Sequence, residues 1–317
     1  MASRGSLAAM KEGTDLKKRT LKKFTKSAVL GLLFAGLGVS SAGAVDLDAL
    51  DLIPAPSGTN AILSYSTFAT RNSYVPNKGS AIKDGTGLDS YVGILRYVHY
   101  MDIDGLPFAP QVLLPYGSMF NGSLGGASLD STTGISDPIL AAPLWLVNNK
   151  ESGTTFAVVP YLYVPLGSYD AGDALNLGEN RWKFDLQLGG TQALGSGFTV
   201  QASFDTMWYG DNKDAISDGT GRLTQDNTYQ AQIWLSYTPP ADKSWNFAVG
   251  YSKYWGGVQK LDGVENGTAT KSDQIRLQVA KFVTPTVQVQ AMLQRDVAVE
   301  GGFKEDAHVT LRLMKLF

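Results

Sequence analysis

The chain has 317 residues, of which 44% are hydrophobic, 18% are charged and none is cysteine. The lack of cysteine excludes a disulfide framework and thiolate metal sites, and the ample apolar and aromatic content excludes a disordered chain. Residues 1–44 hold eight of the 27 basic and two of the 29 acidic residues, so the remainder has 19 basic and 27 acidic side chains, a net charge of −8. That balance argues against nucleic-acid binding.

The N-terminal 44 residues have the pattern of a secretory signal peptide. A basic segment, 17–26, precedes about a dozen mostly apolar residues, 28–39, and then Ala42-Gly43-Ala44, which fits a signal-peptidase site. We predict cleavage after Ala44, with Met10 as an alternative start. A membrane anchor is the other interpretation, but the apolar run is too short to span a bilayer. The mature chain is then expected to hold a periplasmic lead-in, 45–58, which could fold into the periplasmic mouth, and one β-domain, 59–317.

Twelve strands are predicted in this domain. Segment 181–188 shows the pattern best, because its even positions are apolar and its odd positions are polar or charged, the period of a strand with one face toward each environment. The predicted strands are 61–70, 88–101, 106–116, 136–148, 154–166, 181–193, 197–209, 225–237, 245–256, 270–283, 286–297 and 305–317. Prolines at six positions in strands three to five predict bends or bulges there.

The connections between these strands are alternately short and long, with only the last outer link short. Short links on one rim and long links on the other are typical of an outer-membrane barrel. Bilayers admit only helices or closed sheets, so we predict an all-β, transmembrane antiparallel β-barrel of 12 strands. A secreted soluble β-protein is the alternative. In the predicted barrel, Trp145, Trp234 and Met292 are expected to narrow the lumen.

The last strand, 305–317, ends on Phe317, and this ending resembles the closing strand of bacterial outer-membrane barrels. The resemblance implies that Phe317 is read by the barrel-assembly machinery. We therefore expect the protein in the bacterial outer membrane, in contact with its lipid, with both termini in the periplasm.

Three segments carry a more specific family resemblance. They are Gly134–Leu140, Pro160–Asp170 and Leu175–Trp182. They resemble the MetA-pathway phenol-degradation family of outer-membrane transporter-like β-barrels, and the likeness extends over the mature chain. Residues Pro165-Leu166-Gly167 depart from the polar phrase usual in that family, so no substrate contact is carried over. The resemblance implies passive uptake of small-molecule solutes, aromatic or hydrophobic compounds among them.

Strand parity places a set of polar side chains toward the lumen. The pore-lining candidates are Arg96, Lys183, Asp185, Asp205, Gln230, Gln232, Arg276, Gln290, Gln294, His308 and Arg312. Pairing of strands six and seven is expected to put Asp185 directly opposite Asp205. Such a pair either binds a cation or is neutralised by Lys183, Arg276 or Arg312. The glutamines with His308 and Arg312 suggest a hydrogen-bonded wall.

The sequence does not suggest an enzyme. A hydrolase needs a base beside a nucleophile, and of the two histidines, His99 and His308, neither has a partner identifiable from sequence. We expect no cofactor and no metal site, although Asp211, Asp214 and Asp218 could hold a loosely bound Ca²⁺. An outer-membrane hydrolase is the less favoured alternative. The other alternative is a structural or receptor-type barrel that binds a partner through loops 71–87, 117–135 and 210–224.

Overall fold

The structure, a computed structural model, describes residues 46–266 and 269–317. In these residues the wall of the molecule is a closed barrel of twelve antiparallel strands, as predicted. The predicted signal peptide lies outside these residues. No helix within the described ranges is long and apolar enough to cross a membrane. The wall strands, β1 to β12, are Asn60–Val75, Gly87–His99, Gln111–Leu124, the interrupted Thr132–Ile135/Ile139–Ala141/Leu144–Asn149, Thr154–Tyr163, Lys183–Gly195, Phe198–Tyr209, Thr228–Tyr237, Trp245–Gly256, Thr270–Thr284, Val287–Glu300 and Gly302–Leu316.

The C-terminal strand closes the barrel on the first one. Strands β1 and β12 pair antiparallel, from Ala61 opposite Leu316 to Thr70 opposite Ala307. The last rung joins Asn60 and Phe317, whose backbone amides donate to each other's carbonyl oxygens at 2.8 and 3.0 Å. Because the closing strand has a partner on each side, its backbone donors are satisfied in a bilayer that offers none.

Prolines explain the irregular part of the wall. Strand β4 is broken at Pro138 and again at Pro143. The fourth strand, predicted as a single one at 136–148, therefore consists of three short pieces, the first of which begins earlier, at Thr132. Pro160, in the middle of β5, faces the second break, where its carbonyl accepts from Ala142. The amide hydrogen that Pro160 lacks would point to that same side, so the ladder loses little.

The third predicted strand was wrong by several residues at both ends. The predicted span was 106–116, whereas β3 is Gln111–Leu124. Residues 106–108 instead pair with Met101–Ile103 in a small hairpin at the rim. Pro110 lies between that hairpin and the wall, and it cannot donate to a ladder.

The two faces of the wall meet different environments. On β6, Phe184 and Leu188 are 41% exposed on the outside, whereas Asp185 and Gln187 are fully buried inside. Aromatic rings mark both ends of the outer face: Trp245 stacks on Phe247 at one end, and Tyr229 stacks on Trp255 at the other. Ten residues of a strand tilted by about 40° span about 26 Å, close to the apolar band of an outer-membrane barrel.

The connections differ between the two rims. On one rim the connections are short: residues 150–153 join β4 to β5, residues 196–197 join β6 to β7, and residues 285–286 join β10 to β11. The opposite rim carries the long connections, including 164–182 and 210–227. A second, three-stranded sheet of Leu223–Gln225, Gln259–Leu261 and Val264–Glu265 stands on that long-loop rim.

Candidate transport channel and its N-terminal plug

Residues 46–52, here called the plug, run through the inside of the barrel before β1 begins. Leu47, Ala49 and Leu52 are 5%, 5% and 2% exposed, so their side chains are packed within the lumen. A turn in which the amide of Asp51 donates to the carbonyl of Asp48 at 3.2 Å keeps the segment compact. The plug belongs to the stretch predicted as a periplasmic lead-in, 45–58.

Side chains of the wall satisfy the plug backbone. The amides of Leu47, Ala49 and Leu52 donate to the side-chain oxygens of Gln232, Gln278 and Gln201 at 3.1, 3.0 and 3.3 Å. The indole N–H groups of Trp234 and Trp145 donate to the carbonyls of Leu47 and Leu52 at 3.0 and 2.8 Å. A buried segment without secondary structure needs such partners, which accounts for the glutamines along the inner wall.

Three arginines of the wall hold the three carboxylates of the plug. Arg276 pairs with Asp46 at 2.5 Å. Arg312 pairs with Asp48 at 2.5 Å and with Asp51 at 3.4 Å. Arg96 also reaches Asp51, at 3.2 Å. Removing one partner of a buried ion pair typically costs about 3–5 kcal/mol, so these contacts hold the plug firmly against the wall.

The connection 164–182, which holds most of the segments with the family resemblance, folds inward over the end of the barrel that carries the long loops. The carboxylate of Asp137, in the break of β4, accepts from the amides of Gly167 and Glu179, both at 3.0 Å. Gly167 and Gly178 touch backbone to backbone, since a Cβ added to Gly167 would lie 2.7 Å from the Cα of Gly178. These contacts explain an aspartate and two glycines at those positions.

A charged cluster fixes the end of the same connection. Glu179 pairs with Arg181 and with Lys183, each at 2.5 Å. Burial disfavours ionisation of Glu179, but Lys183 and Arg181 outweigh it and lower the pKa of this carboxyl group to about 2. Glu179 is therefore ionised throughout the pH range in which bacteria grow.

A cavity of about 460 Å³ lies between the plug and the connection 164–182. Asp46 and Asp48 of the plug contribute to its lining. Its apolar surface includes Ile94, Met119 and Phe303. Among the lining residues, carboxylates outnumber lysine and arginine side chains seven to four.

All eleven pore-lining candidates point into the barrel, and they fall into distinct groups. Arg96, Gln230, Gln232, Arg276 and Arg312 contact the plug. Lys183, Gln294 and His308 line the cavity, and Asp185, Asp205 and Gln290 are at most 4% exposed within the wall interior. That these side chains line a route for solutes stays a prediction.

The expected pairing of the two acidic residues was wrong. Asp205 lies opposite Gln187, and Asp185 lies opposite Met207. The two strands pair about Ser196, whereas an Asp185–Asp205 pair would need a turn centred on Gly195. Of the three expected neutralising cations, Arg276 does act on Asp205 electrostatically, although its direct ion pair is with Asp46; Lys183 pairs with Glu179, and Arg312 pairs with the plug.

The structure gives His308 partners that the sequence had not suggested. Its Nδ1 lies 3.0 Å from a carboxylate oxygen of Glu305, and its Nε2 lies 3.1 Å from the hydroxyl of Thr310. The Thr310 oxygen is also 3.0 Å from the hydroxyl of Thr67. The i, i+2 spacing of a strand could have indicated the threonine, but not Glu305, which a bulge turns inward.

Comparison with known proteins decides the family. The sequence profile described as the MetA-pathway of phenol degradation matches residues 70–313. The chain belongs to this family. An outer-membrane channel from Pseudomonas putida F1 is similar over 86% of this chain and 100% of that one, with 36% identity and a TM-score of 0.80. This member of the family is thus an outer-membrane β-barrel of the channel type.

Other similarities to solved structures are weaker. The CymD monoaromatic hydrocarbon channel has 12% identity and a TM-score of 0.44, over 90% of this chain and 98% of that one. The KdgM porin in complex with oligogalacturonate has 9% identity and a TM-score of 0.43, over 81% and 99%. The identities and TM-scores of both similarities are too low to bear on the cargo of this channel. Among curated protein sequences, none matches.

Proposed function

We propose that this family member admits small aromatic or hydrophobic compounds through a lumen that the plug closes at rest. The observation that carries the proposal is the cavity between the plug and the connection 164–182. Its volume of about 460 Å³ is within the usual range for small-molecule sites, which combine apolar walls with a few polar groups. Displacement of the plug would connect this cavity to the other rim.

The charges around the cavity favour neutral cargo over aromatic acids. Arg71, Arg96 and Lys183 each pair with a carboxylate, of Glu305, Asp51 and Glu179 respectively. The excess of carboxylates among the lining residues would repel a benzoate more than a phenol. Apolar contacts with the ring, rather than an ion pair, would then select the cargo.

Influx into proteoliposomes tests this selectivity. We expect phenol to enter several times faster than benzoate and both to enter faster than arabinose, because the cavity is apolar and net acidic. Liposomes without protein serve as the control, since phenol also crosses lipid. Equal passage of all solutes below a size limit would indicate a general diffusion pore, and no protein-dependent passage would favour the structural or receptor role.

The geometry around His308 keeps a hydrolase as a second candidate. Glu305, His308 and Thr310 are connected in the order carboxylate, imidazole, hydroxyl, the order that activates a nucleophile. We favour a structural role, because Glu305 is also paired with Arg71 and Thr310 is only 4% exposed. Ester hydrolysis by the wild type that His308→Asn abolishes, with unchanged heat-modifiable migration, would reverse this preference.

We also propose that both termini lie in the periplasm and that Phe317 serves assembly. The Asn60–Phe317 rung is at the rim with the short turns, and short turns are periplasmic in such barrels. Deleting Phe317 is expected to reduce the amount of folded barrel in the outer membrane severalfold. Molecules that do assemble should transport normally, as measured by solute influx per folded barrel. Unchanged yields would contradict this role.

A further inference from the structure

Two carboxylates are buried together in the wall interior beside the plug. Asp185 on β6 is 0% exposed and Asp205 on β7 is 1% exposed. Asp185 lies opposite Met207, two residues along the strand from Asp205. The two side chains are therefore diagonal neighbours on one face of adjacent strands, about 7 Å apart, and their charges repel each other.

The carboxylate oxygens of this pair have few protein donors. Both oxygens of Asp185 and one of Asp205 are buried and lack a hydrogen bond of good geometry, and only the backbone amide of Leu186 and the side-chain amide of Gln232 approach them besides Gln187. The other oxygen of Asp205 accepts from the amide of Gln187 at 3.2 Å. The hydroxyl of Tyr161 in turn donates to Gln187 at 3.2 Å, which fixes the orientation of that amide.

Neighbouring neutral oxygens are unpartnered as well. Gln230, 3% exposed, lies opposite Asp205 on β8. Its amide nitrogen donates to Asp46 of the plug at 2.7 Å, while its oxygen is buried without a partner. The hydroxyl of Ser203, on the same inner face of β7, is also without one, but it lies opposite Gly189, about 13 Å along the wall from Asp185, and cannot share an ion with it. This patch thus offers oxygens and few donors.

The local charges do not balance without a further cation. Together with the adjacent cluster at Glu179, the plug and wall contribute six carboxylates, of residues 46, 48, 51, 179, 185 and 205, and five cations, of residues 96, 181, 183, 276 and 312. One negative charge remains among these groups, and a buried unpaired charge costs several kcal/mol. Hard cations such as Ca²⁺ are bound by carboxylate, amide and hydroxyl oxygens.

We propose that Asp185 and Asp205 bind a hard divalent cation of the Ca²⁺ type, with the side-chain oxygen of Gln230 as a neutral ligand. Within residues 46–266 and 269–317, no group of three or more His, Asp or Glu side chains is placed to hold a metal, so two carboxylates provide all the negative charge of this site. Gln230 connects the site to the plug through Asp46. The proposal does not depend on the identity of the cargo.

Calcium titration of the full-length protein, refolded in detergent after treatment with a chelator, tests the site. We expect one Ca²⁺ per chain by calorimetry and a higher melting temperature with Ca²⁺. The double variant D185N/D205N, which preserves side-chain shape, should lose at least tenfold in affinity. The matched control D102N/D104N removes two exposed carboxylates of the hairpin between β2 and β3 and should bind Ca²⁺ as the wild type does.

Terbium provides a second readout that does not require the double variant to fold. Tyr161 lies opposite Asp185, so Tb³⁺ at the site should show tyrosine-sensitised emission that Tyr161→Phe reduces and Ca²⁺ abolishes. Three results would each overturn the proposal: no Ca²⁺ binding by the wild type, equal binding by D185N/D205N, or a melting temperature that rises on acidification but not with Ca²⁺. The last would indicate a shared proton.

Discussion

Deleting residues 46–52, with the signal peptide retained, is expected to increase single-channel conductance in planar bilayers at least tenfold. These seven residues occupy the lumen, where Leu47 and Leu52 are 5% and 2% exposed. They add no strand to the wall, so the barrel should persist without them. Their removal leaves the inner glutamines and arginines facing water, which solvates such groups well.

Deletion of seven residues elsewhere provides the control. Removing the exposed residues 78–84 from the connection between β1 and β2 shortens the chain equally but leaves the plug in place. This variant should conduct as the full-length protein does. If the plug deletion also conducts no better than the full-length barrel, the lumen is closed elsewhere, and the plug does not control passage.

Replacing Arg312 by glutamine is expected to raise the fraction of time that the channel is open by about a hundredfold. Arg312 holds both Asp48 and Asp51 and is itself 7% exposed. Without it, two carboxylates are left buried with too little positive charge, at a cost of about 3–5 kcal/mol. Each 1.4 kcal/mol is about a factor of ten in an equilibrium constant, so the displaced plug becomes far more populated.

Arg222 provides a matched arginine for this experiment. It pairs with Asp211 on the long-loop rim, and its side chain is 64% exposed. Exposed ion pairs contribute at most about 1 kcal/mol, so Arg222→Gln should leave the current traces unchanged. Equal open fractions for the Arg312 and Arg222 variants would show that Arg312 does not restrain the plug.

The wall was predictable wherever it meets lipid. In segments such as 181–188 a bilayer outside and polar groups inside impose a strict period of two. The prediction failed for β3, where residues 117–124 extend past the apolar band. There neither face has to be apolar, so the glycines at 117 and 122 look like those of a loop.

The plug could not be recognised from local pattern. Leu47, Ala49 and Leu52 bond to residues that are 185, 229 and 149 positions away. The lumen-facing glutamines were predicted, but their partner was not, because side-chain parity shows only which way a residue points. For the acidic pair, a two-residue change of register at one turn decided which side chains face each other.

A reversible cross-link between plug and wall tests most directly whether solutes pass only when the plug moves. The amide of Ala49 is 3.0 Å from the side chain of Gln278, and the chain has no cysteine of its own. In an A49C/Q278C variant joined by a short thiol-cleavable reagent, we expect phenol influx into proteoliposomes to fall to the protein-free rate and to recover after reduction. Undiminished influx through the cross-linked barrel would contradict a plug-gated route.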